Sequence, residues 1–279
     1  MTLKFNFIYH QGSRSPRNTR NSPPQRHKGS EFHSFFIFYS VIWRLALTTG
    51  TGSIFGFLVA RQAYDAAIMA PMFIIMSFAY GLALYMLILM FTFNTDDRPL
   101  GDLVIRRLKN LLGVFVAAIF YFTLVYHLTN LYGTENHDFE LFILRDGGVY
   151  TVVFWFGWVL LGMLVPMGIL FHPALGMQRG AITLASLLVV VGGLSAIYVI
   201  VIGGQAFPLS MFPGHTIIES GNFDGVNGMA HSYSPSLPEV LLGLGGFALA
   251  LMATFVAVRM MQFLPESLAD EVTDPHHAN

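Results

Sequence analysis

The sequence contains no cysteine among its 279 residues, and only 11% of them are charged. The first absence removes disulfides, cysteine-ligated zinc and cysteine-ligated iron–sulfur clusters from this chain, so any cluster chemistry has to sit on another subunit. The second removes the ordinary soluble surface, in which about 25% of residues are charged. A formal net charge of −1 offers no bulk attraction for nucleic acid, and none is expected as a partner. Also missing are a Ser-His-Asp arrangement, a Walker loop and an HExxH motif, so neither a hydrolase nor a metal site is expected. LLGLGGFALA (241–250) fits a dinucleotide-type glycine spacing only with Ala248 in the last place, and it follows no strand. Its Gly243, Gly246 and Ala250 read instead as small residues that let helices approach.

What is present is apolar sequence, with 54% hydrophobic residues. Apolar runs, each near the roughly 20 residues that cross a bilayer core, fall at 34–59, 66–93, 109–132, 148–171, 180–204 and 239–263. They predict an all-α, polytopic transmembrane helix bundle of about six spans in a lipid bilayer. The first run is the weakest: Arg44 and LTTGTGS interrupt it, which predicts a broken or re-entrant segment packed against protein. Residues 1–33 are rich in Ser, Arg, Pro and Asn, with no acid before Glu31, the composition of a disordered basic tail. The bundle is expected over 34–265, followed by a cytoplasmic tail at 266–279. Within it, 205–238 is too long for a structureless connection. With Pro208, Pro213, Pro235 and Pro238 spaced along it, it predicts a lid or docking loop.

Charge sets the orientation. Arg98, Arg106, Arg107, Lys109, Arg179 and Arg259 fall on the side of the basic tail when six spans alternate. The opposite loops, GTENHDFELFILRDGG and 205–238, carry mostly acids and histidines, with Arg61 and Arg145 the exceptions. The positive-inside rule then places both termini in the cytoplasm, with the long loop facing outward.

Ionisable groups within spans usually face a bundle interior, a cavity or a partner, and here they gather at the outer helix ends. FTLVYHLTNLY closes the third run with Tyr126, His127 and Asn130 inside one turn. His127 and Asn130, three apart, share a helix face. Arg61 and Asp65, four apart, would form an ion pair if their stretch were helical, serving a proton path or docking. The fifth run exits at Gln205 in GGQAFP. A quinone site needs such an amphipathic slot, with donors for carbonyl oxygens and a group that exchanges protons near neutral pH, which histidine supplies. His127 is the expected proton-exchanging residue, with Tyr126, Asn130 and Gln205 as quinone-binding residues. The bland alternatives are an interfacial belt of Tyr and His, and a helix cap for Gln205. Haem would need paired histidines at matching depth. His127 and His172 lie at opposite ends of different spans, and His215, His231, His276 and His277 lie outside the spans, so no haem is expected.

Three stretches carry a resemblance: WFGWVLLGMLVPMGILFHP (155–173), GGQAFPLSMFPG (203–214), and YSPSLPEVLLGLGGFALA (233–250) with VRMMQFLPESLAD (258–270) after it. Over roughly residues 45–270 the sequence resembles the polysulfide reductase/NrfD family of integral membrane subunits, most nearly the branch serving sulfite-reduction-associated complexes. The resemblance implies a subunit that handles quinone or quinol near the outer membrane face and holds neither haem nor an iron–sulfur cluster of its own. It implies electron exchange with a periplasmic ferredoxin-like iron–sulfur subunit, and further membrane and cytochrome subunits as partners. Family members carry eight to ten helices, so six spans predict a chain lacking the amino-terminal ones. The expected function is therefore a quinone-interacting subunit of an oxidoreductase complex in respiration or sulfur metabolism, not a stand-alone enzyme. A transporter lined by the glycine-rich helices, or a purely structural membrane anchor, are the alternatives.

Overall fold

The computed structural model describes residues 28–270, apart from 60, 62, 96–98, 208–234 and 262–266. The expectations for residues 1–27, for most of the 205–238 loop with His215 and His231, and for the chain end with His276 and His277 lie outside the described residues.

The chain divides into two units, Met1–Arg44 and Leu45–Asn279. In the first, the described residues form the beginning of α1 (Lys28–Gly56), which starts inside the stretch expected as tail. There Tyr39 and Trp43 stack at 6.4 Å, and Ile37 and Phe38 are exposed. The expected break in the LTTGTGS run is corrected: α1 continues through it to Gly56. The Thr49 and Thr51 hydroxyls donate to the carbonyls of Leu45 and Leu47, at 2.7 and 3.0 Å. Bonding back one turn satisfies these side chains without interrupting the backbone ladder.

The second unit holds α2 (Met69–Thr95), α3 (Asp102–Tyr132), the short α4 (His137–Leu141) running into a π-helical turn at Phe142–Asp146, α5 (Val149–Phe171), α6 (Arg179–Ala206) and α7 (Leu237–Met261). Among the described residues, five helices are long and apolar enough to cross a membrane: α2, α3, α5, α6 and α7. No strand occurs among them beyond a single bridge between Leu100 and Leu268. The chain is an all-helical, multi-pass membrane bundle.

Four of these helices make the core. α2 packs on α3 and on α6, and α5 packs on α3 and on α6, closing a ring with up-down connectivity. Because lipid is as apolar as leucine, such helices associate through close packing of small residues rather than through burial of greasy ones. Ala79, Ala83, Ala185 and Ala196 are fully buried in the ring. Gly162 of α5 and Gly192 of α6 face each other so closely that a methyl on either would collide with the other's backbone. The apolar window of α7 has none of its residues buried within the chain.

Both ends of the ring are tied by polar contacts. At the end where α3 begins, Leu268 pairs with the turn before α3: its N–H donates to Pro99 at 3.0 Å, and its carbonyl accepts from Gly101 at 2.7 Å. The Asp270 carboxylate accepts from the N–H groups of Asp102 and Leu103 at 3.3 and 3.0 Å, capping α3 with a residue distant in sequence. Arg179 donates to the Leu100 carbonyl and to the Asp102 carboxylate at 2.6 and 2.8 Å. At the other end, α6 ends in a π-helical turn, Val199–Gly203. The Tyr64 hydroxyl, from the 57–68 connection between α1 and α2, donates to the carbonyls of Ile200 and Val201 at 3.0 and 3.3 Å. Gly204 admits this clamp, since a side chain there would press on Tyr64 and Ala63.

Burial pushes the Tyr64 hydroxyl above its ordinary 10.0, while the Arg61 charge pulls it down. The shift is upward, so the clamp's contribution is complete below pH 10.0 and is lost as the pH rises through the folded-state value. Tyr64→Phe should cost about 1 kcal/mol in neutral solution, and the difference from the parent should shrink in alkaline melts of the detergent-solubilised protein. Gly192→Ala should destabilise by about 1–3 kcal/mol through overpacking. Gly168→Ala, where a methyl meets nothing within 4 Å, should be neutral or should stabilise by up to about 1 kcal/mol. Thermal unfolding of the two glycine variants side by side checks this.

Candidate functional site

The polar residues expected at the helix ends do gather at one end of the ring, where α3 and α6 finish and α5 begins. Tyr126, His127 and Asn130 are all buried on α3. Their partners come from two connections. The 57–68 connection supplies Ala63, whose carbonyl accepts from the Tyr126 hydroxyl at 2.9 Å. The α3–α5 connection folds back as α4 and places Glu140, fully buried, beside His127 and Asn130. The two carboxylate oxygens divide between two neighbours: one pairs with His127 Nδ1, and the other accepts from Asn130 Nδ2 at 3.3 Å. This uses the three-residue spacing of His127 and Asn130, which puts both on the face that α4 covers.

Aromatic rings hold the arrangement. Phe139, next to Glu140, meets Phe207 edge-on at 5.5 Å, and Phe142 packs on Phe207 and Tyr150. On the α5 side, the His127 ring lies 4.7 Å from Phe154 and 6.3 Å from Trp158. That part of α5 is π-helical over Val153–Leu164, a geometry often found at functional sites.

Three buried side-chain atoms have no hydrogen-bond partner among the described residues: His127 Nε2, Thr123 Oγ1 and Trp158 Nε1. Thr123 and His127 are one turn apart on α3, and the Trp158 ring touches the His127 ring from α5. Buried polar atoms in native proteins are nearly always paired, so three orphans around one seam call for an explanation. Chemically they comprise a nitrogen that exchanges protons, a hydroxyl that donates or accepts, and an indole N–H that only donates.

The remaining expected residues are placed differently. Arg61 and Asp65 are not on a helix; Asp65 is exposed in a left-handed conformation with φ 51°. Arg61 donates instead to the carbonyls of Gln205 and Phe207, at 3.0 and 3.4 Å. The ion pair conditional on a helix therefore does not form; the guanidinium closes the last turn of α6, whose carbonyls have no helical partner. Gln205 contributes that backbone carbonyl while its side chain is exposed. His172 lies at the opposite end, where its Nδ1 accepts from the N–H groups of Ala174 and Leu175, each at 3.2 Å. A cavity of about 660 Å³ also lies at that end, between α2 and α6, and is lined by Met90, Phe91, Asn94 and Arg179 among others. It is remote from the His127 group. Among the described residues no cluster of three or more His, Asp or Glu is placed to hold a metal.

Glu140 is the site residue that sequence reasoning missed. FELFIL does carry a signal, a single carboxylate set among aromatic and aliphatic residues, but an acid in an outer loop reads first as part of a solvated surface. Thr123 and Trp158 give no separate signal, being unremarkable within apolar spans.

A family model described as "Polysulphide reductase, NrfD" matches residues 27–209. The chain is 29% identical over 237 residues to an "Hdr-like menaquinol oxidoreductase integral membrane subunit" of Archaeoglobus fulgidus, an alignment covering 84% of this chain and 59% of that protein. It is 30% identical over 234 residues to a membrane subunit assigned to a dimethyl sulfoxide reductase of Halobacterium salinarum, covering 78% of this chain and 50% of the relative. A subunit of the selenate reductase of Mesobacillus selenatarsenatis is 21% identical over 267 residues, covering 94% and 59%. The chain thus spans between half and three fifths of the length of these curated relatives. No solved structure matches it. With the family model covering well over half of the sequence and an apolar helix ring beneath it, the chain belongs to the polysulfide reductase/NrfD family of integral membrane subunits.

Proposed function

We propose that this chain is the quinone-interacting membrane subunit of an electron-transfer complex, with His127 as the group that exchanges a proton with quinol. The observation that carries the reading is the buried His127, held at Nδ1 by Glu140 and free of any described partner at Nε2. Quinol oxidation to quinone releases two electrons and two protons; the electrons pass to an iron–sulfur partner subunit, one hydroxyl proton goes to His127 Nε2, and the other is released to water at the same end of the bundle. The orphan atoms suit both redox forms of the headgroup oxygen. Trp158 Nε1 and Thr123 Oγ1 can donate to a carbonyl, and His127 Nε2 can accept from a hydroxyl. Tyr126 and Asn130, engaged by Ala63 and Glu140, frame the site, and Gln205 offers an exposed amide at the same end. Arg61 and Asp65 belong to the connection that covers it, on the side of proton exit or partner docking.

The descriptions of the relatives support the class, since they name membrane subunits of a menaquinol oxidoreductase and of a dimethyl sulfoxide reductase, and a subunit of a selenate reductase. The finer proposal is a complex of respiratory or sulfur metabolism in a bacterial cytoplasmic membrane. Menaquinone or ubiquinone serves as electron carrier, a periplasmic ferredoxin-like iron–sulfur subunit as electron partner, and further membrane and cytochrome subunits complete the assembly. The exposed Arg106 and Arg107 and the nearby Lys109 and Arg179 cluster at the end opposite His127, which supports a cytoplasmic side there and an outer quinone site.

In the purified complex, His127→Ala should abolish quinol-dependent reduction of the iron–sulfur partner while the subunits remain assembled. Trp158→Phe and Thr123→Val should each raise KM for quinol several-fold. Turnover unchanged in the assembled His127→Ala complex would sink the proton-exchange role. Lipid extracts of the complex devoid of quinone, with no quinol turnover in the parent, would favour a structural anchor.

A further inference from the structure

A buried carboxylate is costly unless its oxygens are paired, and Glu140 is the most deeply buried acid described, with no exposed surface. It is not held there by its own helix, which is only five residues long. Phe139 and Phe142 anchor the segment through the aromatic cluster with Phe207 and Tyr150. The chain therefore reverses direction after α3 and locks a carboxyl group against two polar residues of the helix it has just left. Nothing in packing requires an acid at this position. An apolar residue of similar size would avoid the desolvation of a carboxylate altogether.

The pairing has a consequence at the far side of the imidazole. A neutral histidine has one N–H and one lone pair, and the hydrogen bond at one nitrogen decides which is which. An ionised carboxylate can only accept; paired with it at Nδ1, a neutral His127 carries its lone pair on Nε2, the atom without a described protein partner. A proton arriving at Nε2 makes an imidazolium whose charge faces the carboxylate, so it is not left alone in an apolar seam. The other groups around the ring cannot replace this. Tyr126, on the same helix, is committed to the Ala63 carbonyl. α5 presents Phe154 and Trp158, neither of which titrates. Tyr64, from the connection that covers this end, is committed to the α6 carbonyls, and Asp65 beside it is exposed. Asn130 holds the second carboxylate oxygen and so fixes the plane of the acid.

We propose that Glu140 is the positioning residue for His127: it makes Nδ1 the donor and Nε2 the proton acceptor, and it supplies the countercharge once Nε2 is protonated. The source of that proton rests on the quinone reading above, whereas the tautomer does not.

Two measurements on the complete complex separate these. In the first, ¹⁵N-histidine labelling with solid-state NMR, using His127→Ala to assign the resonance, should show His127 protonated at Nδ1 alone. Glu140→Gln, which keeps the side-chain volume, and Glu140→Ala should each replace this by a mixture. In the second, oxidation of a soluble quinol probe, decylubiquinol or menadiol, should lose roughly 10²-fold in kcat in both variants, with KM within about 3-fold, the pattern of an interaction made beyond substrate binding. A parent His127 protonated at Nε2, or an unaltered tautomer in both variants, would overturn the proposal. So would a kcat unchanged in an assembled Glu140→Gln complex that turns over quinol. If the parent complex oxidises neither quinol, the quinone reading fails, and the NMR result still decides the role of Glu140.

Discussion

In a bilayer core no water is present to satisfy a stray backbone donor or acceptor, so the N–H and C=O groups of spanning helices must find their partners inside the protein. That constraint organises both ends of this bundle. Where α3 begins, Asp270 takes up the free N–H groups of the helix, Arg179 closes the Leu100 carbonyl, and Lys109 donates to the Leu170 carbonyl at 2.8 Å. Where α6 ends, Tyr64 and Arg61 perform the same service for carbonyls released by the π-helical turn and the helix terminus. The irregular stretches at both ends are thus held by specific donors and acceptors.

The span positions are largely legible in the sequence because lipid imposes a length and a composition. The runs at 66–93, 148–171, 180–204 and 239–263 fall within a few residues of α2, α5, α6 and α7. α3 begins at Asp102, earlier than the apolar run at 109, because Arg106, Arg107 and Lys109 are helical residues. Long basic side chains can keep their charge at the interface while their stems stay on the helix, so composition marks the membrane boundary and not the helix boundary. In the first run the weakness is legible and its form is not. Hydroxyls that look like breaks in the sequence bond back to the helix that carries them. The rotation of each helix about its axis is only sparsely marked. Lipid-facing and core-facing residues are equally apolar, and only small residues such as Gly162 and Gly192 mark the inner seam.

The candidate site divides in the same way. His127, Tyr126 and Asn130 stand out because polar groups in an apolar span are expensive, and they are buried together as their spacing implies. Arg61 and Asp65 stand at helical spacing in a stretch that is a turn, so the guanidinium serves α6 instead of its own neighbour. Glu140 is illegible because its role depends on a reversal of the chain after Tyr132, which no local pattern announces. Gln205 reads from both sides: its backbone carbonyl at the end of α6 accepts from Arg61, while its side chain remains exposed at the His127 end.

The polar atoms at the two ends are satisfied in different ways. At the α3 start, the contacts of Asp270, Arg179, Lys109 and His172 all run to backbone groups that the helices leave open, with Arg179 also reaching the Asp102 carboxylate. They satisfy the open ends of the helices. At the His127 end the buried acid engages side chains instead, and the pairing stops one atom short, at Nε2, with Thr123 and Trp158 unpaired around the same seam. Each unpaired buried group costs about 1–3 kcal/mol, and four-helix packing alone could have removed all three by apolar replacement. Around His127, by contrast, a histidine nitrogen, a hydroxyl and an indole N–H find no protein partner among the described residues, and these are the atoms that the proposed quinone site would use.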